Sequence, residues 1–338
     1  MRIPGWKACG IAAALCFLPS PACGIHAASP DAPAALPALP TPSANSDQSN
    51  SDKDFSLWRD GTFGDDPQAP VPTFLWDNLS LFGGLDGSKE PDDLGVNAHF
   101  GMRGALSWGV PLVESWGLGA ELGGAVNYSN NAVRVLESID HVHDDFQTFI
   151  TAGVFQRSDV GVNWGLVYDF RLDDSYANLT FTQWRGQVGY ALNDNNELGL
   201  WGTLRDRGEM ASVGGQTFAL RGISQGDLYW RHVWDNDIVT RFWVGMAESH
   251  GRFLLVAPGE PPVHHPVVFG ADLFVPLTDW LAIWGEANFI TPNDTGTVDA
   301  TLGFALYPGA GAHRTAHSRF APLLPTANNA TFPVDLRQ

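Results

Sequence analysis

Residues 146–204 read FQTFITAGVFQ, RSD, VGVNWGLVYDFRL, DDSYAN, LTFTQWRGQVGYAL, NDNNE, LGLWGTL. Four segments alternate large apolar residues with polar or small ones, and turn-forming residues separate them. Between Val160 and Phe170 one phase holds Val160, Val162, Trp164, Leu166, Tyr168 and Phe170; the other holds Gly161, Asn163, Gly165, Val167 and Asp169. Successive strand side chains point to opposite faces, so a period of two predicts strands. The connectors run short, longer, short. That is the rhythm of an up-and-down antiparallel barrel with tight turns at one rim and loops at the other.

Outward from this stretch the rhythm continues. About twelve candidate strands cover residues 79–85, 94–108, 116–128, 146–156, 160–171, 179–192, 198–205, 223–234, 238–248, 267–275, 281–290 and 298–307. Most are about as long as the ~9–11 tilted residues that cross a bilayer core. Short connectors such as RSD, NDNNE and DND alternate with longer ones centred on residues 129–145, 206–222 and 250–266. An even strand number follows, with both ends of the barrel on the short-turn side. A sandwich with Greek-key crossovers has no reason to keep this order.

The two phases differ in chemistry. Val162, Trp164, Leu166, Val188, Tyr190, Leu228, Trp230, Phe242, Val244, Leu302 and Phe304 fall on the apolar phase, assigned to lipid. The opposite phase carries His99, Arg103, Glu121, Asn163, Asp169, Arg171, Arg185, Asp227, Arg231, Asp272, Glu286, Asn288 and Asp299, assigned to the lumen. A dry core would charge several kcal/mol for each unpaired ionisable group among them. A wet or salt-bridged barrel interior removes that cost. Trp108, Trp116, Tyr128, Trp234, Trp280 and Tyr307 lie near strand ends and read as interfacial girdles rather than sugar-stacking platforms.

Composition narrows the rest. No apolar run long enough for a membrane helix follows the N-terminus, although a barrel hides its belt from such a test. A net charge of −18 argues against a nucleic-acid partner, which needs a basic face. Residues 1–28 read as a secretory signal peptide: Arg2 and Lys7 precede an apolar stretch and a small-residue cleavage zone. Cys9, Cys16 and Cys23 all lie within it, so the mature chain is expected to have no thiol chemistry. Cys23 as a lipidation site is disfavoured, because Ser20-Pro21-Ala22 fits a lipobox poorly. Residues 29–73 are Pro-, Ala-, Ser- and Asn-rich and are expected to be a disordered spacer. The barrel then spans 74–307. Residues 308–338 form a C-terminal tail, expected to be periplasmic or packed on the rim, with a plug as the third placement.

No nucleophile elbow, phosphate loop or zincin motif is present, so no enzyme, cofactor or metal is expected. The HVHDD run at 141–145 and the His264-His265 pair read as solvated loop. Glu121 and Glu286 would form a glycosidase-like pair only if they faced each other at the separation hydrolysis needs.

Several blocks resemble a known family: FGGLDGSKEPDDLGVNAHFG, GLGAELGGAVNYSNNAV, VFQRSDVGVNWGLVYDF, QWRGQVGY, FGADLFVPL, GEANFITPNDTGTVDATLG and SRFAPLLPTANNATFPVDLR. They are similar to a planctomycete family of predicted outer-membrane barrels of unknown function (domain of unknown function 6666), from about residue 76 to the C-terminus. The resemblance implies the cell outer membrane of a Gram-negative-type bacterium, reached across the inner membrane by the signal peptide. It brings no activity and no catalytic residues. The expected partners are outer-membrane lipid, the barrel-assembly machinery and small solutes. The expected function is a porin-like or transport-related channel with a mixed-charge lumen. The alternatives are a structural envelope protein that ties the outer membrane to the layer beneath, and a barrel hydrolase acting on lipid or glycan.

Overall fold

A computed structural model describes residues 74–89, 99–131, 144–158, 160–174, 178–213, 216–248, 266–291 and 298–337. The leader, the spacer, His141–His143 of the HVHDD run and His264-His265 lie outside the described residues. After a single helical turn come β1 (Leu79–Lys89), β2 (His99–Val113), β3 (Leu118–Asn131), β4 (Asp145–Arg157), β5 (Val162–Asp174), β6 (Asn178–Asn193) and β7 (Asn196–Val213). Next are β8 (Gln216–Gly222), β9 (Gln225–Val233), β10 (Val239–Ala247), β11 (Val267–Thr278), β12 (Leu281–Thr291), β13 (Val298–Leu306) and β14 (Val334–Arg337).

Twelve of these strands, β1–β7 and β9–β13, each pair antiparallel with both neighbours. The ring closes where β1 pairs with β13 in the register Leu81↔Leu306 to Lys89↔Val298. Closure leaves no unpaired edge for a bilayer to solvate, which is why only closed sheets span membranes as strands. The ends of the ring meet at the short-turn mouth, where the Tyr307 N–H donates to the carbonyl of Trp280 at 2.8 Å. Tight turns there need special backbone: Gly117 ends the β2–β3 turn at φ +63°, and an added Cβ would lie 2.1 Å from the carbonyl oxygen of Arg157.

Alternation survives in the folded chain. Along β5, Val162, Leu166, Phe170 and Leu172 are exposed, while Asn163, Val167, Asp169 and Arg171 are buried. Trp184, Val188, Tyr190, Leu200, Leu228, Trp230, Phe242, Val244, Leu302 and Phe304 complete an apolar outer surface. Polar residues inside and apolar residues outside invert the arrangement of a water-soluble protein and match a barrel immersed in lipid. Trp116, Tyr128, Trp234 and Trp280 are exposed near strand ends, as girdle residues should be. Tyr307 is a correction. Its ring points inward, is 8 % exposed, and meets Phe274 edge-on at 6.0 Å.

Two strands lie outside the sequence expectation. Residues 206–222 read as a loop, yet β7 continues to Val213 and turns back as β8, pairing Gly208↔Arg221 to Val213↔Gln216. This hairpin rises beyond the ring at the long-loop mouth. β14 then adds to its edge, pairing Val334↔Gly222 to Arg337↔Ala219. Because β13 ends at one mouth and β14 lies at the other, the chain between them traverses the bore.

Candidate functional site: a bore occupied by the C-terminal segment

The tail is neither periplasmic nor packed on the rim. It enters at the short-turn mouth, where Arg231 Nη2 donates to the carbonyl of Ala316 at 2.9 Å and Ser318 Oγ to Asn78 Oδ1 at 2.8 Å. Further in, Arg157 Nη2 donates to Ala321 O at 3.3 Å. The Glu121 carboxylate accepts the backbone N–H groups of Leu323 and Leu324 at 2.8 and 3.1 Å. Arg185 Nη2 donates to Pro325 O at 2.7 Å, and Arg103 Nη2 to Ala327 O at 2.7 Å. Thr326 places its hydroxyl 2.8 Å from Ser107 Oγ and donates to Leu106 O at 2.6 Å.

Toward the long-loop mouth the contacts continue. The Asn329 amide donates to Asp86 at 3.1 Å and to Gln147 at 3.0 Å, and the Asn328 amide donates to Glu286. The Asn328 side chain also accepts the Thr331 N–H at 2.9 Å, a local turn that folds the tail on itself. Gln183 donates to Thr331 O at 2.9 Å, and Arg171 Nη1 to Phe332 O at 3.1 Å. Arg171 is itself fully buried, paired with Asp173 at 3.0 Å and positioned over the rings of Phe149 and Phe181. The Ile223 N–H closes the series on Pro333 O at 2.9 Å.

Small residues on the inward phase make this passage possible. A Cβ at Gly109 would stand 1.9 Å from Phe320 O, and one at Gly123 1.9 Å from Thr326 Oγ1. Glycine inside a strand marks a close backbone approach, and here the approaching backbone is the tail.

Of the thirteen residues assigned to the lumen, ten are buried, and His99, Arg231 and Asp272 are half-buried. Arg103, Glu121, Arg171, Arg185, Arg231 and Glu286 hold the tail directly. Asp169 does so through Arg185, which grips it twice at 2.9 and 3.1 Å. Asp272 pairs with Arg241 at 2.6 Å, Asp299 accepts from Ser88 at 2.7 Å, and Asn288 accepts from Trp243 at 2.9 Å. His99 lies 3.4 Å from Asp145 at the long-loop end of β2. Asn163 and Asp227 are buried with no hydrogen-bond partner among the described residues. The sequence reading missed Asp86, Gln147, Gln183 and Arg241, although all four sit on the same phase as the residues it named. It also missed the acceptors and donors of the tail, which has no period to read. Among the described residues no group of three metal-ligating side chains assembles.

The class defined by this fold and site is a membrane-spanning, twelve-stranded antiparallel barrel whose bore is filled by its own C-terminal segment. The chain belongs to a family of unknown function (DUF6666), whose model matches residues 78–334. Among solved structures, it is similar to an outer-membrane channel from Pseudomonas putida F1 at 9 % identity, covering 68 % of this chain and 94 % of that one with a TM-score of 0.48. The translocator domain of the autotransporter NalP from Neisseria meningitidis matches at 11 % identity over 68 % and 87 % of the two chains, TM-score 0.43. An outer-membrane phospholipase from Salmonella typhi matches at 7 % identity over 75 % and 97 %, TM-score 0.36. No curated protein matches the chain.

Proposed function

We propose that this protein is a transport-related barrel of the outer membrane, held shut by its own tail, and that solutes pass only when the tail is displaced. The observation that carries this reading is the continuous series of bonds from Arg231–Ala316 to Ile223–Pro333 along the bore. Interior width grows with strand number, and twelve strands leave room for one extended segment beside inward side chains. A mixed-charge lumen bonded to a peptide through carbonyls and N–H groups is a lumen that, once emptied, presents arginines and carboxylates to water and ions.

The hydrolase alternative is weakened by the same contacts. Glu121 and Glu286 are both engaged by the tail, so neither is free to act on a glycosidic bond. The structural-envelope alternative remains the competitor that a filled bore favours. Planar bilayers separate the two. Full-length protein should give rare or no conductance steps, while a chain ending at Ala310 should give frequent discrete steps. Silence from both chains would favour the structural role; equal steady conductance from both would overturn the plug.

A further inference from the structure

The first and last described strands stand at opposite mouths. β1 begins at the short-turn mouth, where Leu79 pairs with Trp108, and β13 ends there, where Leu306 pairs with Leu81. β14 lies at the long-loop mouth on the edge of the β7–β8 hairpin, with Val334 against Gly222 and Arg337 against Ala219. In outer-membrane barrels the short turns face the periplasm and the longer loops face the exterior. On that rule the chain enters the barrel from the periplasmic side and its C-terminal strand emerges outside.

The segment between β13 and β14 has the composition such a passage needs. Residues 320–333 carry no charged side chain, although the wall they pass is lined by arginines and carboxylates. An uncharged segment slides along that wall without leaving a buried charge of its own unpaired. Pro322, Pro325 and Pro333 deny it a regular ladder inside the bore, since proline has no N–H to donate. The ladder begins at Val334, the first residue past the last of these prolines. β8 belongs to a hairpin that rises beyond the ring and pairs with β7 and β14. β14 can therefore join β8 only after residues 334–337 have cleared the bore. Once made, that pairing holds the segment on the side it has reached, with Phe332 and Val334 fully buried at the exit.

We propose that the barrel is the export route for its own C-terminal segment: residues 334–337 are displayed on the outer surface of the cell, reached through the bore and held there by β8. The proposal rests on the outer-membrane placement in the reading above but not on gating. It holds for a permanently closed structural barrel as well as for a channel.

Single-cysteine reporters test it, in full-length chains whose native cysteines are replaced by serine, expressed in a Gram-negative-type bacterium. Asp194→Cys is exposed in the β6–β7 turn at the short-turn mouth, and Met210→Cys is exposed on the β7–β8 hairpin. In the third chain a cysteine ends a flexible Gly-Ser linker added after Gln338, which keeps the thiol in solvent. The reagent is a polyethylene-glycol maleimide too large to cross the outer membrane, and heat-modifiable migration checks that each chain has folded. On intact cells Met210→Cys and the C-terminal cysteine should be labelled, while labelling of Asp194→Cys should be lost unless the cells are lysed. A C-terminal cysteine that reacts only after lysis, while Met210→Cys reacts on intact cells, overturns the proposal. So does labelling of Asp194→Cys alone on intact cells, which would reverse the barrel. If all three reporters need lysis, it is the outer-membrane placement that fails, and the proposal falls with it.

Discussion

The two halves of the bore are built on the same alternation and filled in opposite ways. In the long-loop half, Asn328, Asn329, Phe332 and Val334 are almost wholly buried among inward Arg171, Phe149, Phe181 and Gln183. In the short-turn half, the tail leaves beside it a cavity lined by inward residues of β1, β2 and β9–β13 and by the tail itself. The cause is the distribution of small inward residues. Gly109, Gly123 and Gly165 on β2, β3 and β5 let the tail press onto that side, where Leu323 and Leu324 come within 3.2 Å of a Cβ placed at Gly165. The opposite side keeps its large inward rings and the gap. On the side of β2, β3 and β5 the inward glycines leave the room that the tail occupies.

Breaking the seal should cost most. Arg171→Ala removes the partner of buried Asp173 and the donor to Phe332 O together, and leaving a buried charge unpaired costs about 3–5 kcal/mol. Urea titration of the protein in lipid vesicles should show a matching drop in midpoint, and a loss below about 1 kcal/mol would mean that the half is not sealed by this contact. Next comes a pair of neighbouring glycines. Gly123→Val would drive a side chain into Thr326, an overpacking cost of about 1–3 kcal/mol, and expose the tail to protease. Gly124→Val faces outward, with its nearest neighbour at 3.9 Å, and should leave the tail resistant. Equal cleavage of both would contradict the assignment of faces.

Effects should be milder at the junction of the halves. Glu121→Gln keeps one acceptor for the Leu323 and Leu324 N–H groups but loses the charge, a difference of about 1 kcal/mol in the same titration. The smallest effect belongs to the entrance. Burial lowers the pKa of His317, and the nearby Arg231 lowers it further, against the pull of Asp237. Below about pH 6.5 the released tail takes up a proton more readily than the seated one, so seating is strongest above that pH and weakens as pH falls through it. Protease cleavage near residue 317 should rise between pH 7.5 and pH 5.5, and His317→Gln should flatten the difference.

The ring was legible in the sequence because its two phases differ so sharply: Leu166 and Asp169 cannot share a face in any dry fold. The tail was illegible for the converse reason. Thr326, Asn328 and Asn329 alternate with nothing, and their partners on β1, β2, β4 and β12 read as residues needing water when they need a peptide. The signal that was present is the run of inward glycines at 109, 123 and 165, which a water-filled bore does not require. Tyr307 misled because a ring at a strand end has the same sequence signature whether it turns toward the headgroups or toward Phe274.

Cross-linking tests the central claim most directly. Thr326 Cβ lies 3.0 Å from the position a Cβ would take at Gly123, close to the ~3.5–4.5 Å of a disulfide. In a chain whose three native cysteines are replaced by serine, Gly123→Cys combined with Thr326→Cys should oxidise to near completion in the folded, heat-modifiable form. Mass spectrometry should then find the β3 and tail peptides joined. A folded barrel that leaves both thiols free and equally reactive would contradict a tail that runs through the bore.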